Sequence, residues 1–200
     1  MTKTFMEAVK DRRTFYTIGN EKIVAEDKIQ ELITAAVKHA PSAFNSQSAR
    51  VAVLFGAQHE KLWDMTKTEL KKIVPPDAFK NTEAKIDGAF RAGYGTVLYF
   101  EDMNVVAELQ KAFPSYKDNF PIWSHQSSGM LQFIIWTALE EAGLGASLQH
   151  YNPIIDEAVK KEWHIPANWK LISEMPFGKP TAKAGEKEFA PLETRVLVYK

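Results

Sequence analysis

The chain has 200 residues, 45 % of them hydrophobic and 12 % aromatic, with 25 basic and 25 acidic side chains and no cysteine. That length and apolar content suffice for a buried core, expected as one domain over residues 1–200. Zero formal charge removes any general attraction for nucleic acid or anionic lipid, so an anion site must be local, and the lack of cysteine excludes disulfides, thiolate nucleophiles and iron–sulfur clusters.

In chain order, MTKTFMEAVKDRR lacks the apolar core of a signal peptide, and Thr4 to Arg13 reads as a short helix. Inside a helix the adjacent Arg12 and Arg13 of the stretch RRTFY cannot share a face, because the neighbours that meet lie three or four apart. VAEDKIQELITAAVKHAPS is amphipathic: Ile29, Leu32, Ile33, Ala36 and Val37 follow the helical period, and Pro41 stops it. RVAVLF from Arg50 predicts a strand, followed by a helix from His59 to Ile73 that breaks at Pro75 and Pro76. GTVLYFED, rich in β-branched and aromatic residues, predicts a second strand, and an irregular, proline-containing loop surrounds Trp123. Gln126 to Ala142 is the most apolar helix, wide enough in its apolar face for burial on more than one side, and it ends at GLG, where glycine suits a C-cap. Its run MLQFIIWTAL is too short to span a bilayer, which points to a cytoplasmic protein. KLISEMPFG and TRVLVYK complete the predicted strands. Strands interrupted by helices, with few hairpins and no repeat, predict a mixed α/β layer arrangement.

Familiar catalytic signatures are missing. The five histidines never form the spacing of a zincin metal site, so no metal is expected. No Gly-x-Ser-x-Gly elbow exists, and the glycines of GYGTVL precede a strand where a dinucleotide fingerprint must follow one. FGKPT resembles the end of a phosphate loop, but Ser173 stands where its first glycine belongs and Pro180 removes the hydroxyl ligand.

Polar clusters at the ends of apolar elements remain. APSAFNSQ offers Ser42, Asn45, Ser46 and Gln47 before a strand, and the amides of Asn45 and Gln47 carry donors and acceptors able to read a heterocycle edge. These residue types are equally ordinary turn formers. Lys179, Lys183 and Lys187 surround glycine turns near the C-terminus, where lysines also serve as plain solvated surface. Tyr94, Phe100, Phe120 and Trp123, in or beside the proline-containing region, are candidates for an apolar substrate wall or for ordinary core.

RRTFY after a short helix, APSAFNSQ after the next, EEAGLGASLQHYNP ending the apolar helix, and MPFGKP with GEKEF near the C-terminus occur in an order that resembles the FMN-dependent nitroreductase family. More narrowly, the chain is similar to the short subgroup linked to fatty-acid regulation and enone reduction. The resemblance implies an α+β fold with a largely antiparallel sheet flanked by helices, an intertwined homodimer with two FMN sites at its interface, and NAD(P)H as electron donor. It places Arg12, Arg13 and Thr14 on the FMN phosphate and flavin edge. It brings Pro41, Ser42, Asn45 and Gln47 to FMN from the partner subunit or the chain's own edge, and packs Leu148, Gln149 and His150 against the flavin with a backbone N–H near N5. Lys179 and Lys187 match phosphate-holding positions. Where the family commonly has a basic residue two positions after its serine, this chain has Tyr16, and Lys85 is the candidate to supply that charge. The implied activity is ping-pong reduction of nitro compounds, quinones or conjugated enones, with the flavin and no protein acid carrying the chemistry. A non-catalytic flavin-binding regulator in fatty-acid signalling, or an α/β interaction module whose arginines pair only with carboxylates, are the other readings.

Overall fold

The computed structural model describes residues 3–200. Its first helix, α1 (Phe5–Asp11), begins at a reciprocal cap: the Glu7 N–H donates to Thr4 Oγ1 at 3.3 Å, and the Thr4 N–H to Glu7 Oε2 at 2.7 Å. The helix stops two residues short of the sequence expectation, because Arg12 leaves helical space at ψ 112. The two arginines are therefore not bound by helical geometry.

A two-residue strand β1 (Ile18–Gly19) and helix α2 (Glu26–His39) follow, then β2 (Ala49–Phe55), α3 (Ala57–Leu70), α4 (Pro76–Ile86) and β3 (Gly95–Asp102). Pro76 does break the helical run, but it also starts α4, since proline at the first helical position sacrifices no hydrogen bond. Next come α5 (Met103–Ala112), α6 (Phe120–Glu141), β4 (Gly145–Ala146), α7 (Asp156–Glu162) and β5 (Trp169–Pro180). The loop expected around Trp123 is the first turn of α6, with Pro121 tolerated there for the same reason. α6 ends as expected at glycine: Gly143 takes φ 86, and the N–H groups of Gly143 and Leu144 return to the carbonyls of Glu140 and Leu139 in a Schellman arrangement.

All four named strand pairings are antiparallel, in the order β1-β5-β3-β2 with β4 also on β5. The fold is thus α+β, an antiparallel sheet with helices on both faces, as the resemblance implies. β3 is buried along its whole length because both of its faces are covered. Val97 and Tyr99 point to a core with Ile29 and Ile33 of α2 and Leu131, Ile135 and Leu139 of α6, whereas Leu98 and Phe100 point to a second core with Trp63 of α3, Phe79 of α4 and Val159 of α7. In that second core Trp63 Nε1 donates to Thr96 Oγ1 at 3.1 Å, so the threonine hydroxyl is left to donate to His59 Nδ1 at 2.8 Å. His59 Nε2–H then donates to the Arg91 carbonyl at 3.2 Å. His59 is held neutral by this burial and packing.

Gly178 marks a close approach: a Cβ there would lie 2.4 Å from the Gly19 carbonyl oxygen, which only glycine permits. The TRVLVYK segment forms no strand. After a short 3₁₀ turn at Leu192–Thr194 it runs free of the sheet, with Leu197 72 % and Tyr199 89 % exposed.

Candidate functional site

The site begins where α1 ends. Thr14 bridges to Ala146, and the Phe15 N–H donates to the Ala146 carbonyl at 2.9 Å, so the RRTFY segment runs beside β4. Lys3 pairs with Glu140 and helps dock α1 on α6. This lays the Arg12 guanidinium 4.4 Å from the centre of the Trp136 ring. Arg12 Nε is buried without a hydrogen-bond partner, and burial first, then the charge of Arg13, lower the pKa of Arg12. Arg13 Nη2 donates to the Gly185 carbonyl at 2.7 Å. The arginine ion pairs among the described residues belong to Arg50 and Arg91, so neither Arg12 nor Arg13 is neutralised by a carboxylate. Two adjacent cations, one of them partly desolvated and with a donor unused, have the chemistry to receive an anion. Thr14 adds an exposed residue with a hydroxyl beside them.

The Arg13–Gly185 bond draws the segment after β5 over this edge, beside a cleft of about 470 Å³ whose lining includes Phe15, Thr181 and Lys183. Lys187 lies two residues beyond Gly185, its ammonium 5.2 Å from the Phe189 ring centre. Lys179, in contrast, is held by Glu21. The two lysines are therefore unequal, and Lys187 is the less committed cation.

On the neighbouring rim, Lys85 in the last turn of α4 stands 6.0 Å from the Tyr16 ring centre and 5.7 Å from that of Phe90. Lys85 and Tyr16 therefore share one edge of the fold. Gln149 forms an antiparallel bridge to Glu174, its side chain is buried, and its Nε2 donates to Ser147 Oγ at 3.1 Å. That amide serves the protein interior, so any contribution of Gln149 to a ligand comes through its backbone. Leu148 is partly buried and His150 exposed.

A second group lies elsewhere. Pro41, Ser42, Asn45 and Gln47 form the turn between α2 and β2, where the Gln47 N–H donates to Ser42 Oγ at 3.0 Å. Phe44, Asn45 and Gln47 all take positive φ, at 56, 51 and 49. Such backbone is costly for non-glycine residues and is kept here by aromatic packing: Phe44 is 51 % exposed yet lies 5.3 Å from Phe120 and 6.0 Å from Trp123, ring centre to ring centre. Phe120 and Trp123 thus sit with the turn, at the start of α6, whereas Trp136 and the arginines sit toward its other end. At roughly 1.5 Å of rise per residue the two tryptophans are about 20 Å apart.

Two expected substrate residues are placed elsewhere. Phe100 is 1 % exposed within the second core and 5.8 Å from Trp169, so it offers no surface to a substrate. Tyr94 packs on Phe55, and its hydroxyl is engaged by Glu26 of α2. Conversely, Trp136 and Phe44 escaped the sequence reading. Both lie inside quoted motifs, but no periodic or charge signal separates a platform tryptophan or an exposed phenylalanine from core.

The family model for the nitroreductase family matches residues 9–179. Nitroreductase FRM2 of Saccharomyces cerevisiae is 34 % identical over 190 residues, covering 94 % of each chain. The structure of nitroreductase CinD from Lactococcus lactis in complex with chloramphenicol is 47 % identical, covers 98 % of this chain and 100 % of its own, and superposes with a TM-score of 0.90. A nitroreductase with bound FMN from Desulfitobacterium hafniense shares the fold at a TM-score of 0.71 and 14 % identity, with 100 % of each chain covered.

Proposed function

We propose that this chain, which belongs to the nitroreductase family of oxidoreductases, is an FMN-dependent NAD(P)H oxidoreductase built as one domain and acting as an intertwined homodimer. The observation that carries this reading is the pair Arg12 and Arg13, set side by side with no carboxylate partner. Their chemistry fits a phosphate dianion: the orphaned Arg12 Nε has a bond to give, and an anion there relieves the cost of the buried charge. When bound, FMN would supply hydride-carrier chemistry between NAD(P)H and a nitro compound, quinone or conjugated enone.

The chain's own part is binding, orientation and exclusion of water. Arg12, Arg13 and Thr14 hold the phosphate, with Lys187 as the added cation and Lys179 fixing the strand end through Glu21. Leu148, Gln149 and His150 would line the flavin and offer it a backbone N–H donor. Lys85 provides positive charge at the rim beside Tyr16. The turn from Pro41 to Gln47, with Phe120 and Trp123, walls the substrate side.

Trp123 and Trp136 are about 20 Å apart along α6, so the turn and the arginines occupy different regions of the chain's surface. A second copy completes the site. The outer face of α6 carries exposed Ile122, Met130 and Phe133, an apolar stripe suited to a dimer contact. β2 is an edge strand with an unpaired side, and the extended, apolar segment from Val196 to Tyr199 has no sheet to join in its own chain. Exchange of that segment between copies satisfies both.

The test is a visible spectrum of purified protein under argon, before and after one equivalent of NADH or NADPH. Flavin bands that bleach, then return on adding a nitroaromatic or an enone, are expected. Protein that is colourless and takes up no added FMN rejects the proposal.

A further inference from the structure

Glu174 of β5 occupies a place that the proposed chemistry does not use. Its backbone and its side chain both hold the turn that carries His150. The Gln149 N–H donates to the Glu174 carbonyl at 2.7 Å, the Glu174 N–H returns to the Gln149 carbonyl at 2.9 Å, and the Tyr151 N–H donates to Glu174 Oε2 at 2.9 Å. One residue thereby fixes the N–H groups on both sides of His150. In extended backbone successive N–H groups point to opposite sides, so turning those of Gln149 and Tyr151 toward β5 turns that of His150 away from it.

Building on the FMN reading, we infer that Glu174 is a positioning residue: its carboxyl clamps the 149–151 turn and thereby aims the His150 N–H at the flavin, with a strength that depends on whether the carboxyl is protonated. The carboxyl is fully buried, and its second oxygen, Oε1, is buried without a partner. A buried carboxylate oxygen with no donor is costly, and a proton removes that cost. Burial, followed in effect by the opposing Tyr151 N–H and then by the charge of Asp156, pushes the Glu174 pKa up to about 8.

The groups facing it come from three sides. Asp156 of α7 is itself raised by burial, Tyr151 of the turn is pushed up to about 12 chiefly by burial, and Leu98 of β3 lies opposite in register and carries no charge. Tyr16 bears on Tyr151, while Lys160 and Lys170 bear on Asp156. No cation is placed to neutralise an ionised Glu174 directly among the charges that act on it. Ionisation strengthens the bond from the Tyr151 N–H to Oε2 but leaves Oε1 as a bare negative charge beneath the turn, and its repulsion of the anionic cofactor outweighs the tighter clamp, so binding weakens.

The experiment compares wild type, Glu174→Gln and Glu174→Ala, stripped of flavin and titrated with FMN by fluorescence quenching from pH 6 to pH 9.5. Glutamine keeps an acceptor for the Tyr151 N–H and cannot ionise. Wild-type affinity is expected to fall at least fivefold across a break near pH 8, with the break absent in Glu174→Gln and affinity near the wild-type value at pH 6. The alanine variant should bind weakly at every pH. The same break in Glu174→Gln overturns the inference. Amide hydrogen exchange of Tyr151 in the flavin-free proteins reads the clamp without FMN: faster exchange in Glu174→Ala is expected, and unchanged exchange overturns it. Failure of wild type to bind FMN rejects the cofactor reading instead, and the exchange result then stands alone.

Discussion

The Arg12 guanidinium lies over the ring of Trp136, 4.4 Å from its centre, and faces no carboxylate. An arginine that is partly desolvated and unpaired contributes little to folding and much to anion binding. Replacing Arg12 and Arg13 together by alanine should therefore leave thermal stability close to that of wild type. Each charge-assisted bond to a phosphate contributes about 1.5–3 kcal/mol, so FMN affinity should fall at least about 100-fold. Inorganic phosphate should raise the melting temperature of the wild type and not of the double variant. Normal FMN content in the double variant would sink the phosphate assignment.

Glu101 gives a pH dependence with a definite sign. It is buried in β3, accepts a hydrogen bond from Ser48 Oγ at 2.6 Å, and is raised by burial to about 7 from a model-peptide value of 4.5. Between those values the folded state binds the proton and the unfolded state does not, so stability falls as pH rises through that window. Glu101→Gln removes this slope, and its stability advantage over wild type should grow by on the order of 1–3 kcal/mol between pH 5 and pH 8. His59, lowered by burial to about 4, acts oppositely below pH 6.5 in both proteins and cancels from the comparison. Urea unfolding at the two pH values measures it, and a constant difference would show that Glu101 titrates normally.

Legibility followed local signals. Strand β3 was readable because its central run TVLYF is β-branched, aliphatic and aromatic, which favours pleated, buried backbone. The start of α6 was misjudged because Pro121 signals a loop, although in a first turn it costs nothing. TRVLVYK has the composition of a strand but no partner in its own chain, and pairing is not written in composition. The candidate site shows the same division. Arg12 and Arg13 stand out in the sequence because they are adjacent to each other, and Lys85 comes near Tyr16 only through the fold. Phe100 was misplaced because a buried aromatic and a substrate wall have the same local pattern, and the clamp of Glu174 on Tyr151 spans a separation that no local window includes.

Gly178 tests the packing that positions the strand end behind the site. An alanine Cβ there would meet the Gly19 carbonyl oxygen at 2.4 Å and the Tyr94 nitrogen at 3.1 Å, both backbone atoms that cannot rotate aside. Gly178→Ala should lose β1 from the sheet edge and destabilise the protein by roughly 1–3 kcal/mol or more. Because Lys179 and Glu21 flank this contact, their ion pair should loosen as well. Chemical denaturation would detect the loss, and wild-type stability in the variant would mean that the edge shifts freely.

Removal of residues 190–200 separates folding of the chain from completion of the site. The segment buries no side chain in its own chain, with Leu192, Val196 and Val198 each exposed by more than half. Its deletion should therefore leave the folding of one chain intact. If the segment is exchanged between copies, its removal strips a strand from the free edge of β2 and uncovers the apolar face of α6, so the dimer should dissociate. FMN content should fall with it, although Arg12 and Arg13 remain, because the 41–47 turn then no longer reaches the flavin. Light scattering and flavin absorbance on the same sample give the answer. A truncated protein that is still dimeric and fully loaded would show that the tail is a solvated appendage and that the two halves of the site meet by another route.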